Sequence, residues 1–419
     1  MGKEVVAGRH PDSDLAFLSH FQPIFSLAHR RAVGYEGLVR ARDADGRPVT
    51  PAELFVRAPL GEARVVMDRR CRELHVRNFT AFGDARSWLF LNVDPYVAAN
   101  GRRWGSFFDG MLRAHGFPAH RVAIELTESQ IENEQSLDAT LDYYRSLGCL
   151  IVIDDFGAGQ SNFDRIWRLR PDVVKIDREM TRRVGVEPLA RRMFAGIVSL
   201  LHEAGALVCV EGIETESEAL CAIEANADLM QGYLFAAPTA ELGPPDACRH
   251  VFTRLFAAFQ AEAGEYRLRR RDLLKPYLAA LDAVVVAIAV GDPYQISVRP
   301  LLALDCTQRC YLISGDGTQI GPNLEAERNA SARDPRLEPM QPRGGTSWQT
   351  KPYFRRAIDA PGRIQITRPY LSVTGPRQCV TLSLAFVAEG GLRVLCADLD
   401  FTALAGEDLS FGTSAVNEV

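Results

Sequence analysis

The chain has 419 residues, 24% of them charged and 47% hydrophobic, with a formal net charge of −5. That length allows two or three domains with real cores, and the acidic balance argues against a general nucleic-acid binder. Nine cysteines without a CxxC pair suit a reducing compartment rather than a disulfide framework.

The opening stretch, MGKEVVAGRHPDSD, lacks the apolar run of an export signal, and LDAVVVAIAV at 281–290 is too short to span a bilayer. A cytoplasmic location is expected. From about residue 20 to 240, short branched-aliphatic runs alternate with longer amphipathic ones. Strands are predicted at VGYEGLVR (33–40), WLFLNVD (88–94), VAIELTE (122–128), LIVIDD (150–155), VVKID (173–177), LVCVEG (207–212) and LMQGYLF (229–235). Helical patterns such as LDATLDYYRSLG (137–148) and PLARRMFAGIVSLLHEAG (188–205) lie between them. Continuous apolar strands with intervening helices imply a parallel sheet buried on both faces, and this many units fit a (β/α) barrel better than an open sheet.

Residues 246–290 read as mostly helical, with Gly264 and Pro276 interrupting the run and RLRRR (267–271) as a solvated face. Beyond 292 the pattern becomes antiparallel. CYLISGDGTQIGP (310–322) reads as a hairpin through Asp316-Gly317, and residues 363–401 as three strands. The segment 322–347 reads as a loop. The expected organisation is an α/β fold: a TIM-like barrel over 10–245, a helical linker over 246–284 and a smaller α+β domain over 285–405.

Nearly every predicted barrel strand delivers a polar residue near its C-terminal end: Glu36, Asn92, Glu125, Asp154 with Asp155, Lys175, Glu211 and Gln231. Barrel interiors favour Val, Ile and Leu, and active sites collect at the C-terminal mouth. Carboxylates and amide oxygens without soft sulfur suit Mg²⁺ or Mn²⁺, and the excess of acid points to two ions bridged by one aspartate of the pair. Such a site activates water and stabilises phosphoryl oxygens. Asp154-Asp155 followed by Gly157 also reads as an ordinary turn after a strand.

YEGLVR, LNVDP, IELTES, IDDFGAGQSN, VKIDR, VEGIET and QGYLF resemble, in order and spacing, the signature segments of EAL domains. That family comprises cyclic di-GMP phosphodiesterases that produce linear pGpG, built on a TIM-like barrel and often dimeric. The resemblance implies that Glu36, Asn92, Glu125 and Asp154 hold a first metal. Asp154 would bridge to a second, completed by Asp155 and helped by Glu211. Lys175 would orient or deprotonate the attacking water, with a pKa lowered by the metals. Arg40, Gln231 and Leu38 would meet the ligand, Glu128 would brace the loop after the aspartate pair, and Glu214 would sit behind Glu211. The usual triplet reads Glu36-Gly37-Leu38 here. The loop after the pair carries Ala158 and Gln160 where a hydroxyl and an aromatic are usual. A displacement of about 1 Å at such a site costs about a hundredfold in rate, so a receptor that binds cyclic di-GMP and cleaves it slowly is an alternative. A barrel hydrolase for another phosphodiester is a third. No cyclase segment is present.

Residues 285–405 loosely resemble PAS or Cache-like sensor folds. Trp348, Tyr353, Arg368 and Tyr370 would then line a small-molecule pocket or fill the core, and Asp398 and Asp400 would meet a ligand amine.

Overall fold

A computed structural model of the chain describes residues 8–10, 13–100, 107–127, 134–158, 163–326, 344–371 and 378–405. It divides into two units, Met1–Gln260 and Ala261–Val419.

Eight strands close the barrel of the first unit: β1 (Ser13–Ser26), β2 (Arg31–Arg42), β3 (Trp88–Asn92), β4 (Val122–Thr127), β5 (Leu150–Phe156), β6 (Val173–Ile176), β7 (Leu207–Val210) and β8 (Leu229–Met230). Strands β2 to β8 run parallel in chain order, while β1 pairs antiparallel with both β2 and β8 and shuts the ring. The seven predicted strands are present, although QGYLF lies beyond β8. The antiparallel β1 stands apart from the predicted set, because FLSHFQPIF mixes polar and apolar residues on a strand whose direction breaks the β/α alternation.

Side chains alternate faces along a strand, so residues two apart share the barrel interior. The lower interior is filled by Ile24, Phe90, Ala123, Val152, Val173, Cys209 and Leu229, one from each of seven strands. Gly34 of β2 faces this layer without a side chain, since a Cβ there would come within 2.6 Å of the Phe90 ring. The larger core lies between the barrel wall and the outer helices, among them Glu62–Ala81 and Pro188–Glu203.

The helix Arg249–Ala289 is continuous, so Gly264 and Pro276 do not interrupt it. Phe252 and Leu255 are fully buried in the first core, and Leu274, Tyr277 and Leu281 are buried in the second. Packing on both sides of Pro276 outweighs the roughly 3 kcal/mol that a proline costs inside a helix.

The second unit holds an antiparallel sheet of β9 (Thr307–Ser314), β10 (Gln319–Glu325), β11 (Gln365–Ile366), β12 (Tyr370–Leu371), β13 (Gln378–Ala388) and β14 (Gly391–Asp400). The order is β10-β9-β14-β13-β11, with β12 also on β13. The hairpin through Asp316-Gly317 is present, and β10 extends to Glu325, further than the loop expected from 322. Alternation again sorts the side chains. Cys310, Leu312, Leu382 and Leu384 face the long helix, whereas Tyr311, Ile313 and Ala385 face Trp348, Tyr353 and Phe354.

Trp348, Tyr353 and Tyr370 therefore belong to a packed aromatic core, and Arg368 is exposed. Asp398 is fully buried. It accepts from Arg309 Nε at 2.7 Å, Thr381 Oγ1 at 2.7 Å and Tyr311 Oη at 3.3 Å, so its acceptor positions are taken by the protein rather than held open for an amine. Asp400 accepts the Ala403 amide at 3.0 Å at the start of the helix Phe401–Ala405. Among the described residues no helix is long and apolar enough to cross a membrane.

Candidate active site

Two residues beyond each member of the apolar floor stands a polar one. Phe90 is followed by Asn92, Ala123 by Glu125, Val152 by Asp154, Val173 by Lys175, Cys209 by Glu211 and Leu229 by Gln231. On antiparallel β1 the order reverses, and Gln22 precedes Ile24. The period of two thus stacks a polar layer directly on an apolar one at the C-terminal mouth.

Lys175 is buried at the centre. Its Nζ lies 2.6 Å from Glu125 Oε1, 3.2 Å from Glu36 Oε2 and 3.7 Å from Asp154 Oδ1, and it is also paired with Glu211. Glu36 is held on three sides, because Asn92 Nδ2 donates to it at 2.9 Å and Gln231 Nε2 at 2.8 Å in addition to the lysine. Gln231 Nε2 also reaches Gln22 Oε1 at 3.2 Å, and Gln22 in turn donates to the Ala236 carbonyl. Gln22 belongs to the site although sequence reasoning missed it; the signal would have been a recognised β1 with its polar residue facing Glu36 in register.

Asp154 and Asp155 are neighbours, yet Asp154, Asp155 and Glu211 each bring an oxygen within 4.8 Å of the others. The backbone explains how. The β5–β6 register shifts between Ile153 and Phe156, and Asp155 has a left-handed conformation with φ of 57°. This bulge turns the second carboxyl, which alternation would send to the outer face, back toward the first. Gly157 follows with φ of 98° against Met180, and the Ala158 amide closes onto Asp155 O at 3.1 Å. The segment is both a turn and a carboxylate-bearing edge. Gln160 and Glu128 lie outside the described residues.

Burial dominates the electrostatics. It pushes Glu125 well above the usual carboxylate range, with Glu36 adding to it. It also lifts Glu211 to about 8 and Asp155 to about 6, and raises Asp154 despite Lys175. Burial opposes the ionised form of Glu36 too, but Lys175, Gln231 and Asn92 hold that carboxyl below its ordinary value. For Lys175, burial favours the neutral amine, but Asp154, Glu125, Glu211 and Glu36 outweigh it and hold the pKa well above the usual lysine range. In the absence of ions the surrounding carboxylates hold the ammonium; the lowered lysine pKa expected beside two metals concerns the loaded site.

Two observations fit a cation at this layer. Glu125 Oε2 and Gln231 Oε1 are buried acceptors without a hydrogen-bond partner among the described residues, and the Asp154, Asp155 and Glu211 oxygens converge. All the donors are oxygen, as a hard divalent ion prefers.

On β2, Leu38 and Arg40 continue the Glu36 face toward the mouth; Leu38 is half-buried and Arg40 bonds the Val39 carbonyl at 3.0 Å. A cavity of about 150 Å³ opens beside Glu36, Glu211 and Gln231, with Arg178, Glu214 and Tyr233 on its walls. Glu214 stands on that wall rather than behind Glu211 and pairs with Arg178 at 2.9 Å. Arg178 and Tyr233 lie within the VKIDR and QGYLF segments, but nothing in the sequence singled them out as site residues.

Residues 13–238 match the family model described as the EAL domain. The Bacillus subtilis EAL-domain protein YkuI is 25% identical over 351 residues, covering 81% of this chain and 84% of YkuI. The crystal structure of B. subtilis YkuI with cyclic di-GMP and calcium superposes with a TM-score of 0.78 at 22% identity, over 92% of this chain and 96% of that one, which establishes a shared fold. The manganese/cyclic di-GMP complex of Klebsiella pneumoniae BlrP1 matches with a TM-score of 0.50 and 26% identity over 56% of this chain and 58% of that one. The cyclic di-GMP phosphodiesterase RocR of Pseudomonas aeruginosa is 30% identical over 161 residues, 38% of this chain. The chain spans less than half the length of several relatives, 41% of RocR and 30% of a protein from Azorhizobium caulinodans. The chain belongs to the EAL-domain family, whose members include cyclic di-GMP phosphodiesterases.

Proposed function

We propose that this protein is a divalent-metal-dependent phosphodiesterase that opens cyclic di-GMP to linear pGpG. The observation that carries the reading is the layer of carboxylates gathered around Lys175, with Glu125 Oε2 and Gln231 Oε1 left without a hydrogen-bond partner among the described residues. In this reading Glu36, Asn92, Glu125 and Asp154 hold one ion, and Asp154, Asp155 and Glu211 hold a second, Mg²⁺ or Mn²⁺. Bound there, such ions act as Lewis acids toward phosphoryl oxygens and lower the pKa of bound water.

The protein's own residues do the rest. Asn92 and Gln231 orient the Glu36 carboxylate through their amide donors. Lys175 restrains its neighbouring carboxylates and orients the attacking water. Arg40 and Leu38 lie further along the same strand face, where Arg40 grips a ligand phosphate. The C-terminal unit takes a modulating role as a sensor domain, and the protein acts as a homodimer.

Incubating the purified protein with cyclic di-GMP and Mn²⁺ tests the reading. Metal-dependent appearance of pGpG, abolished by Glu36→Ala, is expected. Tight binding without product would select the receptor alternative, and absence of binding would remove both. Turnover and oligomeric state unchanged by removal of residues 261–419 would take the sensor role out of the account.

A further inference from the structure

The cavity beside the carboxylate layer has an unbalanced wall. Glu36, Glu211 and Glu214 bring three acidic groups to it, and Arg178 is its one cation among the described lining residues. Arg178 is also placed with care. Its aliphatic stem lies against Gly212, whose φ of 64° and lack of a Cβ make room for it. That contact ties the residue to the segment just after Glu211 and aims the guanidinium along the cavity wall. Among the described residues the guanidinium pairs with Glu214, at 2.9 Å, and both side chains are about half-exposed, 55% and 43%. An exposed pair of this kind is weak and exchanges readily.

We infer that Arg178 is a ligand-gripping residue held in reserve by Glu214: on binding it leaves Glu214 and takes the phosphodiester that is not being cleaved. The inference rests on the proposed reading of the site and deepens it. A cyclic dinucleotide carries two phosphate charges, and ions in the carboxylate layer serve one of them. The other, entering the cavity, meets three carboxyl groups and, among the described lining residues, one cation, Arg178. The exchange releases the Glu214 carboxylate, 43% exposed, to water, and a phosphate offers the arginine fork a bidentate partner. Tyr233, 63% exposed on the same wall, provides an aromatic face for a base beside that phosphate.

This role separates from simple bracing by the sign of two substitutions. Affinity of the full-length protein for cyclic di-GMP is measured by calorimetry in calcium, with thermal melting as a check on folding. Arg178→Met, which keeps the stem on Gly212, is expected to weaken binding about tenfold through loss of a charge-assisted contact. Glu214→Gln, which frees the arginine, is expected to tighten it about two- to fivefold. If the pair only braces the Glu211 segment, both substitutions weaken binding, and that result overturns the inference. So does an Arg178→Met protein that binds within twofold of the parent, with Arg178→Gln as a second variant should the methionine lower the melting point. A parent protein that does not bind cyclic di-GMP at all overturns the functional reading as well. A parent that binds and is indifferent to Arg178 overturns this inference alone.

Discussion

The backbone amide of Asp155 donates to Asp154 Oδ1 at 2.9 Å, while Asp155 itself holds a left-handed φ of 57°. Two adjacent carboxylates thus share one site only because the strand is bulged between them. Asparagine tolerates that conformation and a β-branched residue does not. Asp155→Asn should fold normally and lose at least about a hundredfold in pGpG formation, a cost in the range set by misplacing a catalytic group. Asp155→Val should in addition lose about 1–3 kcal/mol of stability in urea unfolding. Equal stability of the two variants would argue against strain at this position.

Lys175 offsets the charge of the acidic layer. Replacing it with methionine leaves buried carboxylates without their cation, which costs about 3–5 kcal/mol in comparable buried pairs. The Lys175→Met protein should melt well below the parent in chelator, and added Mn²⁺ should raise its midpoint more than the parent's. Identical melting in chelator would contradict the central role of the ammonium.

Metal binding should be linked to pH. Burial, opposed by Lys175 and helped by Asp154 and Glu36, lifts Glu211 to about 8; burial and Asp154 lift Asp155 to about 6. A metal takes the ionised forms, so binding below these values releases protons, and affinity rises with pH and levels off above about 8. The slope should approach about tenfold per pH unit for each proton displaced. Calorimetry in buffers of different ionisation enthalpy measures the release directly, and an affinity that falls as pH rises would have the wrong sign.

Gly37 fits against a histidine. A Cβ at position 37 would lie 2.9 Å from His75 Cγ, and His75 is fixed by its Nδ1 contact with Ser19 Oγ at 2.9 Å. Gly37→Ala, which restores the usual family triplet, should therefore destabilise this chain by about 1–3 kcal/mol through overpacking. Adding His75→Ala should recover part of that loss. A stabilising Gly37→Ala would show that the ring moves freely.

How far the sequence could be read follows from these residues. The polar residue at the end of each parallel strand was legible because the strand period is two and an acidic group in a barrel interior is conspicuous. Its apolar partner two residues earlier was equally visible. Asp155 needed the bulge, which depends on pairing with β6. Gln22 was hidden because β1 runs against the repeating β/α pattern. The fit of Phe90 over Gly34 and of His75 over Gly37 joins residues from separate elements, and local propensity carries no trace of either. Pro276 misled in the opposite direction, since tertiary packing carried the helix through it.

The most direct test of the account is an anomalous-scattering experiment on crystals grown with Mn²⁺. The account predicts two manganese peaks at the barrel mouth, one among Glu36, Asn92, Glu125 and Asp154, the other among Asp154, Asp155 and Glu211. Saturating Mn²⁺ with no peak at those carboxylates, and Lys175 still paired with Glu125 and Glu211, would contradict it.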